Sequence, residues 1–447
     1  MSEIIDLDTL VDDRPGEGVF RVHRSVFTDP AVFALELERI FESTWVYVAL
    51  DSELAGPHDF VTRHIGRQPV LLTRDAAGRL QGFLNTCRHK GTLLCAQRAG
   101  SAKFHTCPYH GWVYDSAGRC VELTGHAQGA YPPAFDADSH DLTPVARIDS
   151  YRGFVFASLS PHVPSLAEHL GDARALLDLV ADQAPDGLEF VPGEASYTFD
   201  GNWKLQFENG LDAYHFASTH AAFVDIVRQR PRAADTSADA AAAAPGPIIA
   251  GTVSTGRGHA MSWSVGAPGQ GPDNRPLPRD GRLLQAARQR VGEARLDWML
   301  RQRNLTIFPN LQVIDIQSLQ LRTWQPLAVD RTRMSSRCLA PRGESPAARR
   351  FRIRQYEEFF NAGGLATSDD NVMYARNQDG FAGHGAGYLQ GYSRGMAAPP
   401  APAGTFEALD VGNARLNASA AGLAFGDETA IHAGYREWKR LLRDSPE

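Results

Sequence analysis

Residues 85–95 read NTCRHKGTLLC and residues 106–120 read TCPYHGWVYDSAGRC. Each stretch pairs one cysteine with one histidine: Cys87-Arg88-His89 in the first, Cys107-Pro108-Tyr109-His110 in the second. Thiolate and imidazole bind both zinc and iron. Two chemistries fit. All four donors could close on one zinc, or the cysteines could hold one iron and the histidines the other across a [2Fe–2S] cluster. Zinc fingers pair like ligands within each arm. Here each arm pairs unlike ligands.

Each arm must therefore reach both irons, the arrangement of a Rieske [2Fe–2S] centre with Cys87, His89, Cys107 and His110 as ligands. Pro108 and Gly111 suit tight loops that bring ligands to a cluster edge. Trp112 is placed to pack against the cluster loop. Cys95 and Cys120 read as small hydrophobes, not ligands. His105 lies outside both half-sites.

The sequence around these loops is built to carry them. From Trp45 to Leu159, short apolar stretches such as Trp45–Leu50, Phe60–His64 and Pro69–Leu72 alternate with Gly, Pro and Asp, which predicts short β-strands and tight turns. Outside this region the period changes. Residues 31–41, with Asp29-Pro30 as a start signal, predict a helix, as do 163–184, 346–361, 367–379 and 427–443. Thr252–Val265 and Leu305–Pro341 carry strand patterns, and Tyr197–Phe199 and Asn202–Phe207 read as strand-like or mixed. Residues 233–247 are Ala-rich and of low complexity. The coarse reading is a small β domain inside a larger α+β domain.

The whole chain supports that class. It has 447 residues, 43% apolar and 22% charged, with a formal net charge of −7. The charge leaves no basic excess to neutralise phosphates, which argues against a nucleic-acid partner. No apolar run reaches about 18 residues, so no membrane span is expected. Met1 to Asp13 is acidic and lacks the features of a signal peptide, which predicts a cytoplasmic protein. The five cysteines are too few for a disulfide framework. The acidic N-terminus suggests no role of its own.

A second constellation lies at residues 208–220, ENGLDAYHFASTH. His215 and His220 are five apart, which on an ideal helix leaves them about 140° apart around the axis. If both bind one metal, the helix must break or loosen between them. Asp212 precedes His215 by one turn and can orient its imidazole. Residues 367–371, TSDDN, open a later helical stretch, either as a cap or as the source of a carboxylate ligand. Two histidines and one distant carboxylate make the facial triad of non-haem Fe(II) oxygenases.

The two cluster loops and the 208–220 segment together resemble the Rieske non-haem iron aromatic ring-hydroxylating dioxygenases. YTFDGNWKLQFENG, SHDLTPVARIDSYRGFVFASL and NLTIFPNLQVIDIQSLQLRTWQPL are similar to their benzoate/toluate dioxygenase-like large (alpha) subunits. Lys90 stands where the family usually has Arg. The stretch after His220 (AAFVDIVRQR) and residues 233–247 depart from the benzoate pattern, in regions that line or cover the family's active site.

The resemblance implies an α+β fold. A small all-β Rieske domain (44–160) is inserted in a larger helix-grip-like catalytic domain with an antiparallel sheet, to which 1–43 contribute an arm and 161–447 the body. It implies a mononuclear Fe(II) held by His215, His220 and Asp370, with Asp369 the alternative, and Asn209 near the iron but beyond bonding range. It implies a head-to-tail trimer in which Asp212 bridges His215 to a cluster histidine, His110, of the neighbouring subunit. The expected partners are a small β subunit (α3β3, or a bare α3 trimer), an NADH-dependent flavin and iron–sulfur reductase, an aromatic acid and O2. The expected activity is cis-dihydroxylation of an aromatic carboxylate. A Rieske monooxygenase acting on a substituted benzoate uses the same ligands. A pure electron-transfer protein would leave the triad unused. Arg228, Arg230, Arg322 and Arg333 are candidates for gripping a carboxylate, and nothing in the sequence picks one.

Overall fold

The computed structural model describes residues 6–212, 214–229, 249–265, 275–398, 404–411, 417–419 and 427–443. Residues 233–247, Arg230 and the side chain of Arg228 lie outside the described residues. The chain divides into two compact units, one spanning Leu37–His169 and the other built from the chain on either side of it.

The inserted unit is all-β in its framework. Three antiparallel sheets form it. One runs Leu80–Leu84, Gln68–Arg74, Asp59–Ile65, Ala99–Ser101. A second runs Cys120–Glu122, Val113–Asp115, Phe104–Thr106. The third runs Arg147–Tyr151, Phe154–Ser158, Val46–Leu50. The unit extends past 44–160 at both ends for a packing reason. Ile40 and Phe41 are buried, and the Trp45 indole donates to the Pro164 carbonyl at 2.8 Å. Its core gathers Phe60, Leu71, Phe83, Trp112 and Tyr114 around Cys87 and Cys107.

The larger unit is organised by a nine-stranded antiparallel sheet. Its order is Leu188–Phe190, Arg331–Pro341, Leu319–Ala328, Leu311–Asp315, Gln302–Ile307, Ala260–Val265, Ile249–Ser254 and Asn417–Ser419, with Ala195–Phe199 also pairing with Arg331–Pro341. The helix Thr429–Arg443 packs against Ala260–Val265 and Ile249–Ser254. Strand runs expected within 305–341 divide at 308–310, 316–318 and 329–330.

Asn202–Phe207 is not strand-like. It belongs to a helix, Trp203–Asn209, started by Asn202, whose side chain accepts from the Lys204 amide at 3.1 Å. Trp203, Lys204, Leu205, Gln206 and Phe207 are all buried, so no polar face marks the helical period in the sequence. Lys204 and Trp203 both end on the buried carboxylate of Glu36, at 2.5 and 2.8 Å, and Trp438 joins them at 2.7 Å.

The acidic N-terminus also has a task. The hairpin Val11–Arg14 and Val19–His23 lies beside the last helix, with Asp13 paired to Arg436 and Asp8 to Lys439. The helix Gly281–Leu300, kinked at Gly292 (φ +77°), has no counterpart in the sequence reading. No helix among the described residues is long and apolar enough to cross a membrane.

Candidate metal centres

In the inserted unit, the two cysteine–histidine arms are the same loop built twice. Gly91 N donates to the Cys87 carbonyl at 3.0 Å, and Gly111 N to the Cys107 carbonyl at 3.1 Å. Cys87 N donates to Thr92 O and Cys107 N to Trp112 O, closing each loop. Both glycines sit at positive φ, +73° and +76°, where other residues are strained. The histidine stands two residues after the cysteine in one loop and three after in the other, so equal backbones present it from different positions.

The rings of His89 and His110 lie 4.4 Å apart between centroids, and Trp112 stacks on His89 at 4.9 Å. The Tyr114 hydroxyl lies 3.3 Å from Cys87 Sγ and accepts from Arg88 N at 3.0 Å. Burial pushes the Cys87 thiol up, and the neighbouring Cys107 adds to the effect. Two buried thiols suit a cationic cluster that takes them as thiolates. The donor set fits a Rieske cluster on a further observation: His89 Nδ1 is buried with no hydrogen-bond partner. Cys95 is buried and tied by its backbone to Asn85, away from this role. Cys120 is only partly buried.

In the larger unit, His215 and His220 bracket a single helical turn, Phe216–Thr219. The preceding helix ends at Asn209 and the next begins at Ala221. His220 has non-helical backbone angles, φ −102° and ψ 32°. The break required by the five-residue spacing is therefore present, and it brings both imidazoles to one point. The helix Thr367–Phe381 delivers the carboxylate in its first turn. His215 Nε2 lies 3.7 Å and His220 Nε2 3.3 Å from Asp370 Oδ1. Among the described residues, these are the three metal-binding donors that close within 4.8 Å of one another.

Each histidine is held from behind. His215 Nδ1 donates to the Asp212 carbonyl, with the Asp212 carboxylate 3.7 Å away. His220 Nδ1 lies 3.4 Å from Asp369 Oδ2. Each Nδ1 is thus engaged and each Nε2 is left for a metal. Asp370 is 7% exposed in its side chain and Asp369 39%, so the two neighbours face opposite sides of His220. Asn209 Nδ2 sits between His215 Nε2 and Asp370 Oδ1, at 3.3 and 3.2 Å. This set of two imidazoles and one carboxylate fits Fe(II).

Sequence reasoning missed the surroundings. Glu208 lies one turn before Asp212 and accepts from the Tyr392 and Tyr435 hydroxyls. Burial pushes it up to about 8. Tyr214 donates to Glu428 at 2.6 Å, and burial pushes Glu428 up to about 7. Phe216 and Phe359 stand edge-on to His220, with Phe223 behind them. None of these partners forms a motif, because they come together from four separate segments.

Both units resemble known proteins. Residues 189–443 match the model of the ring hydroxylating alpha subunit (catalytic domain), and residues 44–145 that of the Rieske [2Fe-2S] domain. The chain is 42% identical over 383 residues to a toluate 1,2-dioxygenase subunit alpha of Pseudomonas putida, covering 85% of this chain and 83% of that one. It is 38% identical over 448 residues to an anthranilate 1,2-dioxygenase large subunit of Acinetobacter baylyi, covering 97% and 92%. It is similar in structure to a naphthalene 1,2-dioxygenase from Rhodococcus sp. bound to indole, with a TM-score of 0.79, 26% identity and 94% of each chain covered.

Proposed function

The chain belongs to the family of ring-hydroxylating dioxygenase alpha subunits, and from that premise we propose that it is the large subunit of a terminal oxygenase that cis-dihydroxylates an aromatic carboxylate of the benzoate type. The observation that carries the reading is the likeness, over nearly the whole chain, to large subunits named for toluate and anthranilate. The family's two cofactors are a Rieske [2Fe–2S] cluster and a mononuclear iron. When bound, the cluster supplies stored electrons and the Fe(II) supplies the site where O2 is activated against the ring.

The chain's own residues divide the remaining work. Cys87, His89, Cys107 and His110 would hold the cluster, and His215, His220 and Asp370 the iron. The Asp212 carbonyl and Asp369 fix the two imidazoles so that both Nε2 atoms meet the same point. Asn209 donates to the carboxylate of Asp370 and would help hold it in place. Phe216, Phe223 and Phe359 form an apolar wall that receives an arene and excludes water. Asp212, only partly buried, would bridge His215 to His110 of a neighbouring subunit in a head-to-tail trimer. A small β subunit and an NADH-dependent reductase are the partners this role requires.

The test is product chemistry. The reduced protein is given labelled O2 and a panel of benzoates under otherwise anaerobic conditions, and the product is weighed by mass spectrometry. Two labelled oxygens on a ring diol support the proposal. One labelled oxygen, or loss of a methyl group, moves the protein to the monooxygenases with every ligand unchanged. Asp212→Ala is expected to retain both metals and lose turnover; normal turnover removes the bridging role.

A further inference from the structure

Four arginines are buried among the described residues: Arg275, Arg303, Arg322 and Arg352. A guanidinium does not deprotonate on burial, so each must find a counter-charge or carry an uncompensated one. Three have a carboxylate. Arg275 and Arg303 share Asp315, and Arg352 meets Glu344 at 2.6 Å. Arg322 is 2% exposed. Its partners are neutral: Nη2 donates to the Thr367 hydroxyl at 2.8 Å and to the Phe360 carbonyl at 3.4 Å. Its Nε is buried with no acceptor. Among the described residues no carboxylate answers this charge.

The place of Arg322 says what anion would. It stands on the strand Leu319–Ala328, opposite Gln312 and Ser336. Its partner Thr367 is one helical turn before Asp370 on the helix Thr367–Phe381. Its guanidinium lies 5.8 Å from the ring centre of Phe360. Phe360 belongs to the aromatic cluster with Phe223 and Phe359, and Phe359 reaches His220. Tyr197 and Tyr374 feel both Arg322 and Asp370, and the Tyr197 hydroxyl is buried without a partner. An unanswered positive charge and a wall of phenyl rings thus meet beside the triad. A ligand with an anionic end and an aromatic body satisfies both.

We propose that Arg322 receives the carboxylate of the aromatic acid, gripping it while the ring lies against the Phe223–Phe359 cluster. The proposal rests on the substrate class argued above. Of the arginines named from the sequence whose side chains are described, Arg333 is exposed and donates to Gln325, whereas Arg322 is buried and bonded to Thr367, one helical turn before Asp370.

The test uses the holoenzyme with both metals loaded. Binding of labelled benzoate, 3-methylbenzoate and anthranilate is measured by equilibrium dialysis, with benzamide as the neutral ligand of the same shape. Arg322→Gln is expected to weaken the acids roughly 10- to 150-fold, the range for losing a charge-assisted pair. Benzamide should change little. Arg322→Lys keeps the charge but not the planar fork, so it should fall between the two. Acids binding the Gln variant as tightly as wild type overturn the assignment. So does a parallel loss of acid and amide, which marks a structural role. A wild type that binds benzamide but no acid overturns the substrate class itself, and the assignment with it. Should Arg322→Gln not fold, wild-type crystals soaked with 4-fluorobenzoate decide the matter. A carboxylate paired with Arg322 supports the proposal; one bound elsewhere ends it.

Discussion

Asp369 and Asp370 are chemically identical neighbours, yet one faces His220 Nδ1 and the other Nε2. Adjacent helical residues point about 100° apart, so only packing decides which enters the site. The sequence could name the pair but not choose within it on residue pattern alone. The histidines were more legible, because two ligands five residues apart can share one metal only if the helix breaks between them, which described the backbone there. Asp370→Ala is expected to abolish mononuclear iron while preserving the visible absorption of the cluster. Asp369→Asn should keep the iron and lower the rate. Iron analysis against cluster absorbance checks both, and full iron occupancy in Asp370→Ala would falsify the ligand assignment. Glu208 left no sequence signal, since its tyrosine partners lie far along the chain. Its carboxyl moves from an ordinary 4.5 to about 8. A carboxyl raised on folding stabilises the protein fully below its unfolded value, and that contribution is lost as pH rises through 8. Glu208→Gln, which cannot ionise, should flatten the fall in Tm between about pH 5 and pH 8. An unchanged slope would show that Glu208 does not carry it.

At the scale of elements, the cysteine–histidine loops were readable, and one repeated turn and the buried helices were not. The sequence DAAGR at 75–79 and DSAGR at 115–119 form one turn used twice. In each, Asp Oδ1 accepts the backbone amides two and four residues on, and Oδ2 accepts from the arginine Nε. The sequence reading passed over that repeat, whereas the cluster loops were legible because each carries its two ligands within a few residues. The helix Trp203–Asn209 was not, because its buried faces carry Lys204 and Gln206 on side-chain partners from elsewhere. Gly210, just after that helix, explains itself only in three dimensions. A Cβ there would fall 1.8 Å from Gln312 Nε2, which is bonded to the Gln206 carbonyl at 3.0 Å. Gly210→Ala is expected to cost about 1–3 kcal/mol as Gln312 is displaced. Urea denaturation would check it, and an unchanged midpoint would mean Gln312 yields freely.

At the scale of the molecule, the division into an all-β insertion and an antiparallel α+β body was visible in the change of hydrophobic period. The N-terminal hairpin was hidden, because its reason to exist is a row of ion pairs with a helix some four hundred residues later. The Rieske unit keeps its own core and its own sheets. The segment 37–169, produced alone, should fold and take up a cluster with the absorbance of the full chain. A colourless or unfolded fragment would show that the body completes it.

The first and last strands of that unit, Val46–Leu50 and Phe154–Ser158, are hydrogen-bonded neighbours, and the Trp45 indole ties the entry to the Pro164 carbonyl near the exit. The segment therefore leaves through the doorway by which it came in. Such a piece behaves as a cassette: genetic exchange can lift it out or splice in a counterpart of different redox temper without lengthening the path of its host. What an engineer would design as a plug-in electron store, the pairing of the unit's first and last strands already provides.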